Sequence, residues 1–490
     1  MTKPLRKERG PLPEPTEEMA HILELVRSTR ANLQIRALAG SGKTTMLEMI
    51  QNAASPPVLC IAFNRRIADE MVKRFRTTTS VRTFNGLGHR IWAAACGGNL
   101  TLNPRKVQEL LREEIKQLPK PDQGEAYDNF WEIIGAVNLA KSLGYVPDGK
   151  FPTAKRLIST EDFYPSLDEV PSDFIIDLVE AVLLASIKTA YAGAIDYNDQ
   201  VYMPALFGGT YPNFPLVLVD EEQDLSPVNY EMLSHMQRSR LVTVGDPRQS
   251  IYAFRGAVRA GMDKARERFQ MTEATLSVSF RCPQAIVENA RWHAPHMKWF
   301  KEGGRAVRLR NPLAHDFLDG SAIICRNNAP LFSIALRLLS NGRSVSVSGS
   351  DVGPKVIGIM RKLGPETLTQ ERVYEEIEGW RQEKLARQST TANDIADCMR
   401  VFASFGNTLS LAISYAAHLF EQKGTINLLT GHKAKGLEWN TVYHLDPWLL
   451  KDHEQDLNLR YVIQTRAKET YYEIDSREIQ WEPNDRIDAA

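Results

Sequence analysis

Ala37-Leu38-Ala39-Gly40-Ser41-Gly42-Lys43-Thr44 has the spacing of a phosphate-binding loop, with Ala37 where such loops often start with Gly. A polyphosphate needs several donors converging from a backbone that can curl tightly. Gly40 and Gly42 permit the curl, because a residue without Cβ accepts positive φ and close approach. Lys43 can reach β- and γ-phosphates, and the Thr44 hydroxyl can ligate Mg²⁺. Upstream, Gln34 to Leu38 is short and apolar enough for a buried strand. Downstream, Thr45 to Ile50 predicts a helix whose N-terminus faces the anion. Strand, loop and helix come in the order the chemistry demands.

At 490 residues the chain is too long for one ordinary core, so two or more domains are expected. Hydrophobic residues at 43% and charged residues at 24% describe a soluble globular composition. No run of eighteen apolar residues occurs, and Met1 to Gly10 is charged, so neither a membrane span nor a secretory signal is expected. Five scattered cysteines (Cys60, Cys96, Cys282, Cys325, Cys398) without metal-like spacing predict reduced thiols and a cytoplasmic compartment. Lys and Arg number 60 and Asp and Glu number 60, so any nucleic-acid surface must be a local patch.

Glu17 to Arg30 has helical spacing, and Val58 to Phe63 reads as a second strand. Between Asn64 and Arg90 seven Lys and Arg stand against Asp69 and Glu70, an excess of five positive charges. That segment is either a solvated basic face or a contact for phosphate backbone. Residues 91–190 are dominated by helical patterns such as Val107 to Gln117 and Phe174 to Lys188. The α/β pattern returns with Phe214 to Asp220 and Leu241 to Asp246, apolar strands ending in acid, as at the carboxyl edge of a parallel sheet. A second series follows, with candidate strands Ala274 to Val278, Ala322 to Cys325, Ser344 to Ser348, Ile426 to Thr430, Thr441 to Leu445 and Tyr471 to Ile474. The expected fold class is α/β: two three-layer domains with parallel sheets, each interrupted by a helical insertion, with a single larger sheet as the alternative. The expected boundaries are 1–90 and 191–265 for the first domain with its insertion at 91–190. The second takes 266–355 and 421–490, with a shorter insertion at 356–420.

A phosphate loop needs a carboxylate for the metal and a base to orient water. Asp220-Glu221-Glu222-Gln223-Asp224, following an apolar strand, suits both. Asp220 would reach Mg²⁺ and Glu221 would polarise the attacking water. Loop and acidic cluster together predict nucleotide hydrolysis.

With these stretches stand Ala62-Phe63-Asn64-Arg65-Arg66, Gly245 to Ala257, Ser279-Phe280-Arg281, Thr430 to Trp439 and Asn458 to Lys468. In this order, from residue 37 to 468, the chain resembles the superfamily-one DNA helicases of the UvrD/Rep/PcrA type, with wording close to the F-box DNA helicase branch. The resemblance implies two RecA-like P-loop domains with parallel sheets, and an ATP- and Mg²⁺-dependent translocase and helicase on single-stranded DNA and tailed or forked duplexes, of 3′→5′ polarity. It also implies work in repair, replication or recombination.

By position, the resemblance implies catalytic roles for Lys43, Asp220, Glu221, Gln249, Arg281 and Arg466, the two arginines as fingers for transition-state charge. Nucleotide contacts fall to Ala39, Gly40, Ser41, Gly42, Lys43, Thr44 and Thr45, with Phe280 stacking on adenine and Glu438 near the ribose. Thr44 and Asp220 would hold the metal. Strand contacts fall to the rings of Phe63, Tyr252 and Phe254 and to Arg65, Arg66, Thr83, Arg255 and His432. Relatives usually carry Gln before the loop to read the adenine edge. Met19 stands there in this chain, which implies weaker purine discrimination unless Gln34 or a backbone group reads the base.

The insertion at 356–420 is much shorter than the mobile subdomain of UvrD-like enzymes. No nuclease domain is expected after residue 468, and no F-box-like extension before the loop. The short insertion supports an alternative: an ATP-switched single-strand-binding accessory factor without processive unwinding. A small-molecule P-loop kinase fits poorly, since the arginines and aromatic blocks would have no purpose.

Overall fold

The computed structural model describes residues 12–167, 171–252, 260–348, 352–386, 389 and 391–481. The chain divides into two compact units, Met1–Ala37 with Gly42–Leu276, and Leu38–Ser41 with Ser277–Ala490.

In the first unit, strands β1 (Leu33–Ala37), β2 (Val58–Ala62), β3 (Thr79–Thr83), β4 (Leu216–Val219), β5 (Arg240–Gly245) and β6 (Thr272–Leu276) form one parallel sheet in the order β3-β2-β4-β5-β1-β6. Every pairing is parallel, with Ile35 opposite Val244 on one side and Ala274 on the other. The apolar runs of β2 and β4 are buried along their whole length, as strands covered on both faces must be. The helix Lys43–Ala53 follows β1, and the helix Arg65–Arg74 follows β2.

Between β3 and β4 the chain runs through helices, from Phe84–Ala95 to Asp199–Phe207. The longest, Asp173–Tyr191, starts at Ser172, whose hydroxyl accepts the Ile175 N–H. Its buried residues Ile175, Leu178, Val179, Val182, Leu183, Ser186, Ile187 and Ala190 recur every three or four positions, the spacing of one helix face. That face joins Leu111, Ile133 and Val137 in a core continuous with Leu59 and Val217 of the sheet. Inside it lies an ionic cluster. Lys141 Nζ is 2.6 Å from Asp196 and 2.7 Å from Asp199, and Lys106 Nζ is 2.7 Å from Asp199. All four side chains are buried, and Ser186 and the Ala194 carbonyl take the remaining ammonium protons.

The second unit carries another parallel sheet: β7 (Arg305–Arg308), β8 (Ala322–Cys325), β9 (Val345–Val347), β10 (Ile426–Thr430), β11 (Trp439–Leu445) and β12 (Ala467–Ile474), in the order β7-β12-β11-β8-β10-β9. The helices Val352–Met360, Gln370–Ala386, Ala392–Phe405 and Leu409–Glu421 lie between β9 and β10 and pack around Met399, Phe402 and Leu419.

Two parallel six-stranded sheets agree with the expected α/β class. One strand differs from expectation. Ala274 to Val278 was assigned to the second series, but Thr272–Leu276 is the edge strand of the first sheet, so the first unit ends at Leu276 instead of residue 265. Only Ala274 and Leu276 of this strand are buried, and that half-polar alternation suits a sheet edge in either domain.

Candidate functional site

The loop between β1 and its helix turns as its glycines require. Gly40 and Gly42 have φ of +74° and +84°, and the Ser41 N–H donates to the Leu38 carbonyl at 3.1 Å. A Cβ on Gly40 would lie 2.6 Å from Ser279 Oγ and from Arg281 Cβ. The buried Ala39 N–H donates to the Tyr461 hydroxyl at 3.1 Å. Gly42 is the N-cap of Lys43–Ala53 and supplies no side-chain acceptor, which leaves the first-turn amides for an anion. Thr44 makes no side-chain hydrogen bond among the described residues. Thr45 Oγ1 accepts from Arg74 Nη2 at 3.0 Å.

Lys43 meets a set of acids at the carboxyl ends of β4 and β5. Its Nζ is 2.6 Å from Glu221 Oε2, an oxygen that also accepts from Gln223 Nε2 at 2.6 Å. Burial pulls the Lys43 ammonium down, but Glu221, Asp220 and Asp246 outweigh it and hold its pKa above the ordinary value. Asp220 is buried, and its Oδ1 makes no hydrogen bond among the described residues. Burial first and then Glu221 push its carboxyl up to about 7, against the pull of Lys43. Glu221 has φ of +53°, an unusual value for a residue with Cβ, stored where a sheet edge turns into a short helix. Asp246 accepts from Gln249 Nε2 at 2.7 Å, and its own N–H donates to Gln223 Oε1 at 2.9 Å. A buried unbonded carboxylate oxygen and an uncommitted hydroxyl are hard donors of the kind Mg²⁺ takes, so Asp220 and Thr44 fit that ion.

In the second unit, Arg281 Nε donates to Glu438 Oε2 at 2.7 Å, with both side chains partly open to solvent. Arg466 is only 2% exposed; its Nε donates to the Val462 carbonyl at 2.9 Å and its Nη1 to the Leu437 carbonyl at 3.4 Å. The Phe280 ring lies 5.0 Å from that of Phe300, tilted by 45°. His432 sits, half-buried, in the short helix Gly431–Ala434 that follows β10.

Phe63 and Tyr252 come together although 189 positions part them in sequence: their rings are 11° from parallel with centroids 6.2 Å apart. Phe254 and Arg255 lie outside the described residues. Arg65 and Arg66 are exposed at the start of Arg65–Arg74, and Arg65 pairs with Asp69 at only 3.8 Å. Not all of the basic segment faces solvent. Arg74 is held by the buried Glu48 at 2.8 Å. Thr83 Oγ1 accepts from the Gly86 N–H at 3.0 Å and caps Phe84–Ala95.

Met19, at the position where relatives carry Gln, and Gln34, the alternative reader of the base, are both buried. Met19 is 3% exposed within the core face of Glu17–Ser28. Gln34 is fully buried and donates to Glu222 Oε1 at 2.9 Å and to the Met262 carbonyl at 2.7 Å. Asp246, Gln223 and Tyr461 lie within quoted motifs without an expected role, and the bonds from Asp246 to Gln223 and from Ala39 to Tyr461 join residues 23 and 422 positions apart.

Residues 197–270 match the family described as the UvrD/REP helicase N-terminal domain. Over 92% of its length the chain is 22% identical to F-box DNA helicase protein 1 of Schizosaccharomyces pombe. The chain is related to the UvrD/Rep-type superfamily-one helicases. Over 48% of its length it is 26% identical to the ATP-dependent DNA helicase PcrA of Leuconostoc citreum, and over the same share 26% identical to DNA helicase II of Escherichia coli. It spans 56% of the fission-yeast protein and about a third of the two bacterial UvrD/Rep-type helicases. No helix among the described residues is long and apolar enough to cross a membrane.

Proposed function

We propose that this chain is a DNA-dependent ATPase that translocates along single-stranded DNA and unwinds duplexes, moving 3′→5′. The observation that carries the reading is the Lys43 cluster, with three carboxylates converging on one ammonium at the end of a phosphate-loop strand. The loop N–H groups and Lys43 would bind the phosphates. Thr44 and Asp220 would hold Mg²⁺, which supplies charge neutralisation on the phosphate oxygens when bound. Glu221 is the proposed acceptor for the water proton, with Gln223 fixing its carboxylate. Gln249, oriented by Asp246, is the proposed sensor of that water. Arg281 and Arg466 are the proposed guanidinium groups for transition-state charge. The parallel Phe63 and Tyr252 rings offer stacking to successive bases, and the exposed Arg65 and Arg66 offer charge to the backbone.

The helical stretches at 91–190 and 356–420 serve in this reading as insertions in two ATPase-type domains. Among the described residues four helices lie between β9 and β10, a short insertion that favours a second reading, an ATP-switched single-strand-binding factor that does not unwind. ATP turnover with and without single-stranded DNA tests the shared core of both readings. Turnover that DNA does not stimulate contradicts both.

A further inference from the structure

The Phe63 and Tyr252 rings open onto a cavity of about 460 Å³ that is also lined by Asn138 and Asn198. Asn138 lies in the helix Phe130–Leu143, and Asn198 is the residue before Asp199–Phe207, whose N-cap its side chain does not serve. The two amides bond to each other, with Asn198 Nδ2 donating to Asn138 Oδ1 at 2.8 Å. That leaves the Asn138 amino group and the Asn198 carbonyl oxygen without a hydrogen bond among the described residues. Exchanging O and N in both amides reverses the roles but still leaves one donor and one acceptor.

The pair is held rigidly. Lys141, one helical turn beyond Asn138, is clamped to Asp196 and Asp199, which flank Asn198. The remaining donor and acceptor of this bonded pair are the kinds of group that the edge of a nucleobase pairs with, and the rings offer the face.

We propose that this cavity takes one unpaired nucleobase and reads its edge through Asn138 and Asn198, so that strand affinity depends on the base at one register. The inference rests on the strand-binding reading above and deepens it: stacking alone tolerates every base, whereas an amide pair does not.

The test is equilibrium binding of the full chain to a short oligothymidylate in which 5-nitroindole, which stacks but offers no donor–acceptor edge, replaces thymine at each position in turn. One register should show weakening of about fivefold, the worth of about 1 kcal/mol of edge bonding. In both Asn138→Ala and Asn198→Ala that penalty should vanish, while Phe63→Ala should weaken all strands alike. The two asparagines lie on different segments, so a folding defect in one variant, seen in its melting curve, leaves the other to decide. A 5-nitroindole scan without any penalty overturns the proposal, as does a penalty that survives in a folded asparagine variant. If no strand binds at all, the strand-binding reading itself fails, a result distinct from strands that bind without discrimination.

Discussion

Lys43 balances Glu221, Asp220 and Asp246, so replacing it removes both a phosphate ligand and the counter-charge of the acids. Lys43→Ala should lower kcat for ATP by at least about 10²-fold, the scale for losing one preorganised charge donor. Single-strand affinity, measured in the same preparation, should change little. The two arginines should separate by stability. Arg281 pairs with Glu438 at a partly open site, so Arg281→Ala should lower kcat and cost about 0–1 kcal/mol of stability. Arg466 is buried against the Val462 and Leu437 carbonyls, so Arg466→Ala should lower kcat and also cost about 1–3 kcal/mol or more. Thermal melts beside steady-state kinetics check both, and a variant with normal kcat is not a finger. Of these residues, the phosphate loop was legible from local spacing alone. The pairing of Glu438 with Arg281 was not, because the fold brings together residues 157 positions apart.

At the level of elements, Glu222 ties β1 to β5 through Gln34 and Thr243, and burial pushes its carboxyl up to about 7 from an ordinary 4.5. A carboxyl whose folded pKa is raised binds its proton more tightly folded than unfolded. Its contribution is therefore favourable below about 4.5, fades as pH rises to 7, and stays lost above that. Glu222→Gln should accordingly gain stability relative to the parent as pH rises from 5 to 8, by at most about 3 kcal/mol. Denaturant midpoints across that range measure it, and a pH-independent difference contradicts it. The ionic cluster makes the opposite case. Lys141→Met strips one ammonium from two buried aspartates and should cost about 3–5 kcal/mol by the same measurement. Strands with a buried apolar run, such as Ala322–Cys325 and Ile426–Thr430, were readable to the residue. The edge strands Thr79–Thr83 and Arg305–Arg308 were not, since a strand with one neighbour keeps polar side chains and shows no apolar run.

For the whole molecule, the parallel sheets explain why the chemistry sits where it does: carboxyl ends of β1, β4 and β5 present Lys43, Asp220 and Asp246 in the first unit. The order of motifs along 490 residues carried this architecture, because strands such as Leu216–Val219 and Arg240–Gly245 are followed directly by the motif acids Asp220 and Asp246. What sequence order did not carry was the meeting of Phe63 with Tyr252, 189 positions apart, or of Asn138 with Asn198, 60 positions apart within the helical excursion. In the proposed function, ATP turnover is coupled to directed movement along a strand. Strand displacement with ATP on 3′-tailed, 5′-tailed and blunt duplexes of one sequence measures it most directly. Unwinding of the 3′-tailed duplex, with little of the other two and none in Lys43→Ala, is the predicted result; DNA-stimulated turnover that unwinds none of them would contradict it.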